Sequence, residues 1–179
     1  MMCGTQCLSC FQLSTLALAT LYGDPSIVQE LLDSGVSIDP EAPEELSALM
    51  VAAMKGKLDT VTFLLEKNAL VDRQDKEKNT ALHLAIRGGH RTVIDALLLN
   101  TATLTTRNLQ GLNAFDLAKW NIELLKPILL KAITLDLTQQ KELLKNCSPK
   151  VENVLCFAAE NCSSSVFSSI LKEGELKLN

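Results

Sequence analysis

Positive charge is the first thing this chain lacks. Seventeen Lys and Arg stand against twenty-one Asp and Glu, for a net charge of -4. The bases are scattered among the acids, so there is no stripe of cations to neutralise phosphates, and nucleic acid is excluded as the main partner. No apolar run is long enough to span a membrane. The apolar stretch from Leu8 to Leu21 has no Lys or Arg before it, as a secretory leader would require. Histidine is nearly missing, with only His83 and His90. Neither Ser164 nor Cys156 is placed near an imidazole, and no glycine-rich loop follows a strand, which leaves no machinery for nucleophilic or phosphate chemistry. The chain is expected to be non-catalytic and to carry no cofactor.

Glycine and proline are also scarce, at eight and five, while 47% of residues are apolar, so disorder is excluded. Six cysteines are present. Cys3, Cys7 and Cys10 could converge on one helix face, but Cys147 is remote and no fourth metal ligand is evident. Modification of these N-terminal thiols stays open. Unbridged cysteines favour a reducing, intracellular compartment, cytoplasmic or nuclear.

What the chain does have is a repeat. Thr80-Ala81-Leu82-His83-Leu84-Ala85 is followed by Gly89-His90, Val93-Ile94 and Leu97-Leu98; 33 residues earlier stands Ser47-Ala48-Leu49-Met50-Val51-Ala52 with Gly56-Lys57, and 33 before that Ser14-Thr15-Leu16-Ala17-Leu18-Ala19 with Gly23. Asn113-Ala114-Phe115-Asp116-Leu117-Ala118 begins a fourth copy that keeps its first half, and a fifth runs from Asn153 to Gly174. A fixed period marks one structural unit stacked on itself, each unit burying its apolar face on the next.

These residues resemble the ankyrin repeat, with its Thr-Pro-Leu-His-x-Ala turn, its Gly-His pair between two short helices and its aliphatic second helix. Departures are visible: every copy lacks the motif proline, only the third has both histidines, and Asn68 and Thr101 replace the closing glycine. The resemblance implies an all-α solenoid of four to five helix-turn-helix units with an irregular fourth. The expected divisions are an N-terminal cap at 1–13, units at 14–46, 47–79, 80–112 and 113–152, and a fifth unit with C-terminal cap at 153–179.

Within a unit, apolar spacings of one, three and four put one stripe on each helix. Ser14, Ser47 and Thr80 are candidate N-caps, Pro25 opens an outer helix and Gly35 closes it. The first finger, 37–46, holds two prolines and four acids, Asp39, Glu41, Glu44 and Glu45, without a base. The second, 72–79, balances three acids with three bases. From Ile122 to Cys147 the chain departs from the period; helices are expected near 122–133 and 137–146, with Pro127 beginning or kinking the first.

The resemblance also implies roles. His83 and His90 would be structural, bridging neighbouring hairpins and repeat junctions, with Asp116 standing in for His83 in the fourth unit. Variable positions after the inner-helix core would face a groove: Leu21 and Tyr22, Met54 and Lys55, Arg87 and Gly88, Trp120 and Asn121, Glu160 and Asn161. Finger tips would add Glu41, Glu45, Arg73, Lys76 and Arg107. For Trp120 the alternative is that it fills space in the irregular unit. The function implied is protein binding through the concave face by a chain that is monomeric alone. Two other settings remain open, a targeting domain of a larger enzyme and a pathogen factor acting on host proteins in the host cell.

Overall fold

The computed structural model describes residues 13–22, 25–40, 42, 45–118 and 120–134. The expected cap before residue 13, the helix at 137–146, the fifth unit, its groove residues Glu160 and Asn161, and Glu41 lie outside the described residues.

Among the described residues eight helices follow one another: α1 (Thr15–Tyr22), α2 (Pro25–Asp33), α3 (Ala48–Lys55), α4 (Leu58–Glu66), α5 (Ala81–Gly88), α6 (Arg91–Leu99), α7 (Ala114–Ala118) and α8 (Ile122–Thr134). The odd-numbered helices start at steps of 33 residues, and so do α2, α4 and α6. The odd-numbered helices pack side by side as an inner layer, each against its own outer helix. Among the described residues there is no strand, only an isolated parallel bridge between Leu13 and Leu46. The result is an all-α solenoid.

Each element starts and stops for a local reason. Ser14 and Ser47 accept the backbone N–H of Ala17 and Met50 on their side-chain oxygens, both at 3.2 Å, and Asn113 accepts that of Asp116 at 3.0 Å. These caps satisfy donors that a helix leaves unpaired in its first turn. The inner helices α3 and α5 end on Gly56 and Gly89, at φ +71° and +76°. Leu16, Leu49 and Leu82 occupy one register position and are 0–1% exposed, and Val28, Val61 and Ile94 do the same on the outer layer. Ala52, Ala85 and Ala118, fully buried in another shared position, keep the inner helices close.

Behind the outer helices, Gly35, Asn68 and Thr101 share a register position and a left-handed backbone, at φ +92°, +64° and +68°. A β-branched residue is the worst fit there. Thr101→Gly is expected to raise stability by about 1 kcal/mol, the relief of left-handed strain less the entropy glycine adds to the unfolded chain. Urea unfolding of the two proteins tests this, and a lower midpoint for the glycine variant would contradict it.

The fourth unit keeps the architecture with an altered outer helix. α8 runs through Pro127 rather than starting there. Proline has no N–H to give the carbonyl four residues back, which is that of Glu123. The Arg91 guanidinium, from α6, donates to that carbonyl instead, with Nη1 2.6 Å from the oxygen. The same guanidinium meets Asp95 at 3.1 Å and the Glu123 carboxylate at 3.5 Å, so the defect in α8 becomes a tie between the third and fourth units.

Candidate functional site: the fingers and the inner-helix ends

The inner layer presents two surfaces, the hairpin fingers at its N-terminal end and the last turns of its helices. The fingers are fixed by buried polar side chains. Asp75, 4% exposed, accepts the N–H groups of Glu77 and Asn79 on one oxygen, each at 2.8 Å, and the Asn79 amide on the other at 3.2 Å. Asn108, one repeat later, accepts Gln110 and Leu112 N–H at 3.0 Å, and its own amide donates to Asn79 Oδ1 at 3.0 Å. Two successive fingers thereby share one network.

His83 sits behind them, fully buried. Its Nε2 lies 3.2 Å from the Leu112 carbonyl, which can only accept, so Nε2 carries the proton and Nδ1 accepts from the Thr80 hydroxyl at 2.8 Å and the Thr80 N–H at 3.2 Å. Burial lowers its pKa from the usual 6.5, against the pull of the Leu112 and Thr106 backbone and of Asp75 and Asp72. Because the folded value is the lower one, the unfolded chain takes up the proton first. Stability from this group is therefore complete above pH 6.5 and falls as pH drops below it. Chemical denaturation from pH 7.5 down to about 5.5 is expected to show a steeper loss in wild type than in His83→Gln, which does not titrate there. Equal slopes would refute this. Asp116, in the same register position, is 5% exposed; its Oδ2 accepts the Asn113 N–H at 3.4 Å and its Oδ1 has no partner.

At the other end of the inner helices, His90 Nε2 donates to the Met54 carbonyl at 3.1 Å. One repeat earlier, Lys57 Nζ donates to the Thr20 carbonyl at 2.7 Å and lies 3.5 Å from that of Leu21. Both residues thus use a cationic or N–H donor to hold carbonyls at the end of the preceding inner helix. Lys57 was absent from the sequence-derived candidates; the signal was its place in the register, 33 before His90.

The finger candidates divide. Arg73 is half-buried and donates from Nη2 to the Ala42 carbonyl at 2.6 Å, tying the second finger to the first. Arg107 donates to the Gly111 carbonyl inside its own finger. Glu45 is half-buried and Lys76 exposed. Asp39 accepts the Leu70 N–H at 3.0 Å, and Asp72 accepts that of Thr103 at 2.9 Å, so the first carboxylate of each finger anchors the following unit.

The groove candidates come out differently. Met54 is half-buried against the core, whereas Lys55 and Arg87 are exposed. Tyr22 is 80% and Trp120 88% exposed, so Trp120 does not fill space in the fourth unit. Arg87 Nη1 stands 3.9 Å from the Glu77 carboxylate. Tyr22 and Lys55 are the last residues of α1 and α3 and share one register position; Arg87, in the last turn of α5, and Trp120, two residues past α7, share the position one residue earlier. On the opposite side, Leu70 and Leu99 are also exposed and line an open cleft with Asp72 and Arg73, a feature that periodicity did not indicate.

Among the described residues no His, Cys, Asp or Glu cluster could hold a metal ion, and no helix is long and apolar enough to cross a membrane. A family model of ankyrin repeats in three copies matches residues 16–108, more than half of the chain. No curated protein matches it.

Proposed function

From the premise that this chain belongs to the ankyrin repeat family, we propose that it is a non-catalytic adaptor that holds a protein partner in its concave face. Ankyrin repeats are generally protein–protein interaction modules. The observation that carries the finer reading is the row Tyr22, Lys55, Arg87 and Trp120, exposed side chains mounted on a fully packed inner layer. Aromatic and arginine side chains on a rigid support are the types that dominate binding energy when a partner covers them. Both imidazoles are engaged in holding backbone carbonyls, so neither stands ready as a general base. A reducing, intracellular setting and a monomeric state are part of the proposal; the first rests on the cysteine content of the sequence.

The test is affinity capture with wild type, Tyr22→Ala, Arg87→Ala and Trp120→Ala. Truncating a contact of this kind costs about 2 kcal/mol, or roughly thirtyfold in affinity, so at least two variants should lose the partner that wild type retains. Unchanged capture by all three, with helicity intact, would move the interface to the fingers or the outer helices.

A further inference from the structure

The two layers differ in charge among the described residues. The outer helices carry six acids, Glu30, Asp33, Asp59, Glu66, Asp95 and Glu123, against three bases, Arg91, Lys126 and Lys131. Among the inner helices α1, α3, α5 and α7, the one acid is Asp116, which is 5% exposed. Their exposed charges are Lys55 and Arg87.

The second finger adds to this. By sequence it is neutral, but Asp75 is buried inside the turn and Glu77 folds back towards the Asn79 amide at 3.3 Å and towards Arg87, while Asp72 stays exposed as it accepts from Thr103 and Arg73 is turned to the Ala42 carbonyl. Lys76 and Lys78 remain exposed at its tip. In a protein of net charge -4, the inner helices thus expose two cations, Lys55 and Arg87, which lie in chain order between the exposed Tyr22 and Trp120.

We propose that the groove takes an extended acidic peptide segment with an apolar side chain at each end. This inference rests on the concave-face reading above. Packed helices lie about 10 Å apart and an extended chain advances about 3.3 Å per residue, so each step across the inner layer corresponds to three residues. A segment crossing it would place one carboxylate at Lys55 and a second, three residues on, at Arg87. Apolar residues three positions outside these would meet Tyr22 and Trp120. The whole span, three helix steps or about 30 Å, needs about ten residues. The existing Arg87–Glu77 pair does not close the site, because its side chains are 38% and 46% exposed and a pair of that kind is weak enough for an incoming carboxylate to replace.

The test uses a displayed library of random peptides about ten residues long, selected on the full chain, with binding of the selected peptides measured by fluorescence polarisation. Enrichment of Asp or Glu at a three-residue spacing is expected. Lys55→Glu and Arg87→Glu, exposed changes that leave the core intact, should each weaken the selected peptides about tenfold or more, and the double variant should prefer peptides with Lys at those positions. Selection of neutral or basic peptides, failure to select any, or equal competition by a single-stranded oligonucleotide would overturn the inference. If Tyr22→Ala and Trp120→Ala abolish binding while the charge reversals do not, the groove stands and the acidic partner falls. If none of the four has an effect, both readings fall.

Discussion

Gly56→Ala is expected to destabilise the protein by about 2–3 kcal/mol, from the left-handed backbone penalty together with loss of a half-buried hydrogen bond. A Cβ at this position would lie 2.4 Å from His90 Nδ1 and 2.7 Å from its Cε1, on a backbone at φ +71°. A free side chain could swing away, but this imidazole is held by the Met54 carbonyl and flanked on its other face by Gly88, where a Cβ would come within 2.5 Å of Cδ2. The ring is thus clamped between two glycines of successive units. Moving it breaks the tie at the junction. In a His90→Ala background the clash disappears, and Gly56→Ala should cost only the backbone strain, about 1–2 kcal/mol. A double-mutant cycle by urea denaturation measures the difference, and strict additivity would show that the clamp is not the cause.

Asp75→Ala is the second large effect, a loss of about 3 kcal/mol. It strands the N–H groups of Glu77 and Asn79 and the Asn79 amide, each of which costs about 1 kcal/mol or more when left unpaired away from water. The damage reaches the next finger, because Asn79 Oδ1 is the acceptor for Asn108. Asp75→Asn should be milder, about 1–2 kcal/mol, since one amide oxygen can still receive both backbone donors and only the Asn79 amide, which would face an NH2 group in place of Oδ2, loses its acceptor. Asn108 does that job one repeat later. Equal losses for the two variants would mean that the carboxylate acts through charge and not as the acceptor within the turn.

Much of the architecture was legible in the residues. The 33-residue step, the caps at Ser14 and Ser47, the inner and outer stripes and the burial of Leu16, Leu49 and Leu82 all follow from local rules repeated in register. Less of the site could be read. The positions of Tyr22 and Trp120 in the register suggested a groove, but their exposure depends on what neighbouring units cover. Arg73 and Arg107 read as finger-tip bases and turn out to hold backbone carbonyls. The second finger read as neutral, yet Asp75 is buried inside its turn and Glu77 leans towards Arg87, while Asp72, Lys76 and Lys78 stay exposed.

Periodicity by itself determined most of the residues that turn towards the core, because helical geometry fixes a side chain's direction from its place in the turn; Leu18, in the register position of the buried Val51 and Leu84, is nevertheless 44% exposed. Tertiary structure alone decided that Lys57 would reach Thr20, that Arg91 would answer the missing donor at Pro127 and that Glu77 would fold back on Arg87. The first two contacts join groups 37 and 32 residues apart. Side chains that long can point several ways from the same backbone, and which way they settle is set by the distance and stagger between stacked units.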